Sequence, residues 1–315
     1  MLFSEDLLGR QNADGGWSYF RGGSWTEPTC YALLALAASG MGDTAEVRRG
    51  MTWLQRCQRP DGGFAPRESV QESTWVTALT LLLPPDPPGF HRLGFDRSRA
   101  EAWTLDQTGR ESGWVFRLRL WMLGADSASD SLSFDGWPWY PGAAAWVGPT
   151  AVSVLALQKL AKRGGAANRS DLKKRIDQGI GYLLARRCRD GGWNHGSTRS
   201  LGYDSDSYPE TTGLALLALH GVDDVKVTQG VARGEQQFAV CQSSEGVSWL
   251  RLGLGAHGRA PLTPAAGRVP NQAGTSAHTT EAASAAPAMH GGVMEIALAA
   301  LADAAQAGRN AFLDV

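Results

Sequence analysis

Two kinds of apolar pattern alternate along this chain. In Val47–Cys57 and in Ile176–Cys188, apolar residues recur at helical spacing with Arg, Gln and Asp between them. Such segments form helices with one face buried and the other in solvent. The segments Thr26–Leu36, Glu72–Leu81, Val147–Leu157 and Pro209–Leu219 are almost uncharged and rich in Ala, Leu, Val and Thr. A helix apolar on nearly every face has to be surrounded by protein. The alternation, in units starting roughly 45 to 62 residues apart with a further unit at Trp114 to Leu123, predicts stacked helical hairpins. Such hairpins form either an open superhelix or a closed ring with the apolar helices inside. Strand signals are poor, and Leu83-Pro-Pro-Asp-Pro-Pro88 reads as a loop. Residues 259–292, rich in Ala, Gly, Pro, Ser and Thr, read as a long mobile excursion within a single domain over 1–315.

Between each amphipathic segment and the apolar one that follows lies a short repeated phrase. It occurs as Gln11-Asn-Ala-Asp-Gly-Gly-Trp17, Gln58-Arg-Pro-Asp-Gly-Gly-Phe64 and Arg187-Cys-Arg-Asp-Gly-Gly-Trp193, with weaker copies at Gln107 to Trp114 and Gln242 to Trp249. The glycines are expected to end the preceding helices. Ser24, Ser69 and Ser207 each stand three residues before a glutamate, at Glu27, Glu72 and Glu210, which is the spacing of a helix capping box.

Charge and cysteine usage narrow the function classes. The 30 Lys and Arg against 31 Asp and Glu leave a formal charge of −1, without the basic excess of a nucleic-acid binder. Cys30, Cys57, Cys188 and Cys241 are widely spaced and form no CxxC pair, so they read as buried, reduced thiols of a cytoplasmic protein. The N-terminal segment carries acids where a signal peptide is basic, and no apolar run approaches the ~18 residues of a membrane span. Peripheral membrane contact and a second subunit stay open.

The phrase from Arg49 to Phe64 resembles the QW motif of squalene-hopene and oxidosqualene cyclases, with Phe in place of the final Trp; in the copy ending at Trp193, Arg187 stands where the motif has Gln. The chain is thereby identified as similar to the prenyltransferase and squalene-cyclase repeat superfamily. That resemblance implies an all-α fold, an α/α toroid with inner helices ringed by outer ones. It is less specific for reaction, because prenyltransferase β-subunits and complement thioester domains share the architecture.

In such a ring the glycine turns and the inner-helix starts lie on one rim, so that Glu27, Glu72, Glu210, Asp204, Asp206 and His195 would share a mouth. In the cyclases an Asp-x-Asp-Asp motif near this place supplies the initiating proton. A carboxylic acid can do so only if desolvation keeps it protonated near neutral pH. Here Tyr203-Asp-Ser-Asp-Ser-Tyr-Pro-Glu-Thr211 is acid-rich, but Ser207 and Pro209 fall where acids of the motif would stand. The expected acid is Asp206 or Glu210, supported by Asp204 and tuned by His195. Trp25, Tyr31, Trp75, Trp137, Trp139, Trp146, Tyr203 and Tyr208 are expected to line the site, with Trp121 and Tyr140 nearby, since aromatic faces stabilise a carbocation and exclude water. The expected ligand is a polyisoprenoid or similar apolar chain, with no cofactor. No Asp-x-Cys is present for the zinc site of prenyltransferases, and Arg233-Gly-Glu-Gln236 lacks the cysteine of a thioester loop. Diphosphate contact through Arg117 and Arg119 is left open. The competing expectation is a non-catalytic toroid that binds a lipid or a protein, its rim glutamates serving only as equivalent helix caps.

Overall fold

The computed structural model describes residues 2–84, 95–112, 134–164, 169–200, 203–259 and 291–314. Trp114, Arg117, Arg119, Trp121 and residues 260–290 of the expected excursion lie outside the described residues. Eleven α-helices are described: α1 (Leu2–Gly9), α2 (Thr26–Ala38), α3 (Ala45–Cys57), α4 (Val76–Leu82), α5 (Arg97–Asp106), α6 (Val147–Arg163), α7 (Ser170–Ala185), α8 (Pro209–Ala218), α9 (Val225–Val240), α10 (Ser244–Ala256) and α11 (Val293–Gln306). A single two-stranded hairpin, β1 (Arg199–Ser200) with β2 (Tyr203–Asp204), accompanies them among the described residues.

Helices α2, α4, α6, α8, α10 and α11 pack in that order, and α11 returns to α2, closing a ring. Helices α1, α3, α5, α7 and α9 lie against the outside of it. The fold is an α/α toroid. The apolar helices expected to be wrapped by protein form the inner ring, and each is buried along nearly its whole length. Helices α8 and α10 make the tightest seam. A methyl group at Gly253 would come within 2.2 Å of the Gly213 carbonyl oxygen, so only glycine permits this approach.

The repeated phrase is a strut between successive outer helices. In each of its three strong copies the first glycine has a positive φ, 99° at Gly15, 95° at Gly62 and 101° at Gly191, and the second has no room for a side chain. The aspartate accepts the second glycine's amide and the hydroxyl of a serine ahead of the next inner helix: Ser24 on Asp14 (2.6 Å), Ser73 on Asp61 (2.7 Å), Ser207 on Asp190 (2.8 Å). The indole N–H of Trp17 donates to Leu7 O and that of Trp193 to Leu183 O, both at 2.7 Å. The same rings press on Gly50 and Gly230 of the next outer helix. Trp137 repeats the arrangement, donating to Thr104 O (2.7 Å) and facing Gly179. The weaker copy at Gln242 to Trp249 is not such a turn, because Ser244 already starts α10 and carries Trp249 into the inner ring. The amphipathic segment expected to reach Cys188 ends at Ala185, and Gly15, Gly62 and Gly191 of the phrase belong to the turns instead of closing the preceding helices.

The capping boxes do not form. Trp25, Trp75 and Tyr208 stand at the N-caps, without side-chain cap bonds. Ser24 and Ser207 are already engaged by the turn aspartates. The first amides of the inner helices donate instead to the neighbouring repeat: Thr26 N to Pro66 O (2.8 Å), Trp75 N to Trp139 O (3.0 Å), Val147 N to His195 O (3.1 Å) and Val293 N to Tyr19 O (2.9 Å). These bonds girdle the rim and satisfy donors that an isolated hairpin would have to cap with its own side chains.

The axis of the ring is filled. Phe312 is 1% exposed, and its ring meets Tyr31 of α2 (centroids 6.5 Å apart) and Trp249 of α10 (5.7 Å), which in turn meet edge to face at 5.9 Å. Beneath it the buried Lys159 of α6 donates to Leu82 O at the end of α4 and to Ala311 O, while Lys162 donates to Leu313 O.

Candidate functional site

The first turns of four inner helices carry a glutamate each: Glu27 on α2, Glu210 on α8, Glu245 on α10 and Glu295 on α11. The positive end of a helix dipole favours a carboxylate there, yet burial opposes ionisation, and at two positions burial prevails. Glu27 is pushed up to about 7, chiefly by desolvation and also by the charge of Glu245, against a lowering hydrogen bond from Tyr19. The Tyr19 phenol, offered by the turn after Trp17, donates to Glu27 Oε2. Glu245 is also raised, first by burial and then by the charges of Glu210 and Glu295, while the Trp249 indole favours its ionised form. Glu210 lies against α10, with its carboxylate over Gly246. One helical turn below these acids, on the same helix faces, stand Tyr31 under Glu27 and Trp249 under Glu245. The mouth of the ring is therefore an acid cluster over an aromatic floor, with one carboxyl able to hold a proton near neutral pH.

A second feature of the rim lies between the turns at Trp137 and Trp193. Arg110, Glu111, Trp146, Arg186, His195 and Tyr208 contribute to an open groove of about 710 Å³. The imidazole of His195 sits between the rings of Trp146 (5.8 Å) and Tyr208 (5.4 Å). Glu111 is tied to the wall by the Ala145 amide at 2.9 Å.

The structure thus separates residues expected to act together. Glu210 joins the acid cluster. Asp204 sits on the β-hairpin, exposed and paired with Arg189 (2.8 Å), and Asp206 is exposed as well. Among the described residues the His195 side chain makes ring contacts with Trp146 and Tyr208 and is not placed on the acid it was expected to tune. Of the aromatics, Trp25 packs on Tyr19 beside Glu27 (5.8 Å) beneath the Arg67 guanidinium, and Tyr31 lies on the ring axis. Trp75 and Trp139 meet edge to face at 4.8 Å on the rim, Trp146 and Tyr208 line the groove, and Tyr140 is exposed. Trp137 is buried and takes no part in the groove. Its indole is spent on Thr104 O, and the Arg175 guanidinium covers it at 3.4 Å. Tyr203 is 78% exposed on the hairpin, away from any lining role. Glu72 is exposed ahead of α4, so the three Ser-spaced glutamates are not equivalent. Tyr19, Glu245 and Glu295 were not expected. A signal for Glu245 lies in its i, i+4 pairing with Trp249, which repeats that of Glu27 with Tyr31; Tyr19 and Glu295 carry no such signal.

The chain is 44% identical over 63 residues, 19% of its length, to drimenyl diphosphate synthase of Streptantibioticus cattleyicolor, and those residues cover 12% of that protein. Against squalene–hopene cyclase of Bradyrhizobium diazoefficiens it is 23% identical over 223 residues, covering 63% of this chain and 30% of the cyclase. Over these stretches the chain is similar in sequence to a drimenyl diphosphate synthase and a squalene–hopene cyclase. It spans less than a third of the length of these curated proteins. No family model matches the chain. Among solved structures, a protein from Actinoplanes aligns over 81% of this chain and 72% of its own at 16% identity and a TM-score of 0.48. A type II terpene cyclase from Scytonema, in complex with geranylgeranyl dihydroxybenzoate, aligns over 77% of this chain and 62% of its own at 18% identity and a TM-score of 0.43. Among the described residues, no helix is long and apolar enough to cross a membrane, and no group of three or more His, Cys, Asp and Glu side chains is placed to hold a metal ion.

Proposed function

We propose that the acid cluster is the initiating centre of a terpene-cyclase-type reaction, with Glu27 as proton donor to an apolar isoprenoid chain. The observation that carries this reading is a single carboxyl, raised to about 7 and held by the Tyr19 phenol, at the mouth of the ring above aromatic faces. In its protonated form Glu27 adds a proton to a terminal carbon–carbon double bond. The resulting tertiary cation closes onto the next double bond of the chain, and loss of a proton from carbon restores neutrality, so the product is an isomer of the substrate. The Trp25 and Trp249 faces favour the cation. The Glu210 carboxylate, on the neighbouring side of the cluster, is placed to accept the departing proton, and Tyr19 orients the donor oxygen. Support also comes from the sequence similarity to two cyclases and from the toroid itself. In this reading the exposed Asp204 and Asp206 take no part in the proton transfer.

The test is incubation of the purified chain with squalene and with linear prenyl alcohols and diphosphates, followed by mass spectrometry of the organic extract, beside the Glu27→Gln variant. An isomer of unchanged mass that disappears in Glu27→Gln is the expected result. Equal product from the variant would remove Glu27 from the mechanism, and a tightly held, unreacted lipid would replace catalysis by binding.

A further inference from the structure

We infer that Phe312 fixes the length of apolar chain the ring can accept, by closing its axis one helical turn below the acid cluster. This rests on the reading above that the chain enters at the glutamate mouth.

The segment Asn310–Asp314 touches three alternate inner helices of the ring. It reaches Tyr31 on α2, Lys159 and Lys162 on α6, and Trp249 on α10, and the same Lys159 ammonium also donates to Leu82 O on α4. One short segment can meet three alternate helices of a closed ring only from its middle. It approaches from the face opposite the acids, because Leu82, Lys159 and Lys162 lie at the C-terminal ends of helices whose N-termini form the mouth. The segment is also fixed locally: Asn310 accepts the Phe312 amide on its side chain at 3.1 Å and the Asp314 amide on its carbonyl at 2.8 Å. The Lys159 ammonium, 5% exposed and donating to Ala311 O, anchors it from below.

Geometry converts this position into a depth. Tyr31 follows Glu27 by four residues, about 6 Å along the axis, whereas α2 with its 13 residues runs about 20 Å. The Phe312 ring meets Tyr31 and Trp249 at the upper level, so the lower half of the axis is closed to a ligand. A chain protonated at Glu27 can bury only its reacting end, which favours short isoprenoids over one as long as squalene. Phe312→Ala removes a buried ring from under two aromatics and extends the axis downward, in a protein whose acid cluster is untouched.

The experiment compares geraniol, farnesol, geranylgeraniol and squalene as competing ligands for the full chain. Turnover is read by mass spectrometry, and binding by tryptophan fluorescence, since Trp249 lies against Phe312. The wild-type protein is expected to prefer the shorter alcohols, and Phe312→Ala to shift the ratio of long to short at least tenfold toward the long. Phe312→Leu, the gentler truncation, should shift it in the same direction by less, and Phe312→Trp should not. Unchanged length ratios in folded Phe312→Ala or Phe312→Leu would overturn the inference, as would a wild-type protein that takes squalene as readily as farnesol or binds none of the four. Length-selective binding that depends on Phe312, without any Glu27-dependent product, would retain the inference and discard the catalytic reading.

Discussion

Replacing Glu27 by Gln separates the cost of burying an acid from its use. The folded protein holds this carboxyl near 7, whereas the unfolded chain holds it near 4.5. The folded state therefore binds more protons than the unfolded state between these values. The stability this contributes is fully present below 4.5 and is lost as the pH rises through 7. At pH 8 most molecules carry a half-buried carboxylate, while Gln keeps the acceptor for the Tyr19 phenol and carries no charge. Linkage at 1.36 kcal/mol per tenfold change gives, between pH 5 and pH 8, a difference of about 2.5 kcal/mol as an upper bound. Partial exposure screens this to about 1–2.5 kcal/mol. Urea unfolding of both proteins at pH 5, 6.5 and 8 should show the variant gaining stability relative to the wild type at each step, with unchanged slopes. A stability difference independent of pH, or a variant less stable at pH 8 than at pH 5 relative to the wild type, would refute the account of burial at this site. The same variant should lose turnover, so that stability and chemistry move in opposite directions.

Other outcomes follow from the struts, the seam and the thiols. Trp17→Phe and Trp193→Phe each leave a buried carbonyl, Leu7 O or Leu183 O, without its indole donor. Each should cost about 1–3 kcal/mol in urea unfolding, with no change in the rim acids. Gly253→Ala places a methyl against the Gly213 carbonyl oxygen and should cost more than about 3 kcal/mol, or prevent folding, because backbone stands on the other side. Burial pushes the Cys57 and Cys188 thiols up to about 11, above the ~8.5 of a free thiol. Stability should fall as the pH rises from about 9 to 11, and thiol labelling at pH 8 should follow global unfolding. Full labelling of the native protein would contradict that burial.

What the chain declares by itself is periodic and local. The alternation of wrapped and half-wrapped helices follows from composition alone, since a helix such as Thr26–Leu36 has no face to give to water. The Asp-Gly-Gly-Trp turns are legible for the same reason, their glycines answering to a φ and to a close contact within one repeat. Which acid is desolvated is not local. Glu27 and Glu72 share the same spacing to a serine, but Glu27 is buried with the Tyr19 phenol on it and Glu245 of the distant α10 near it, whereas Glu72 meets solvent. The capping reading fails on a similar ground, because the neighbouring repeat's carbonyls reach the inner-helix amides only once the ring has closed. Phe312 shows the limit most plainly. In sequence it is an isolated aromatic beyond the last helix, and only the closure of six inner helices around it turns it into the floor of the ring, where burying its ring is favoured over leaving the axis empty.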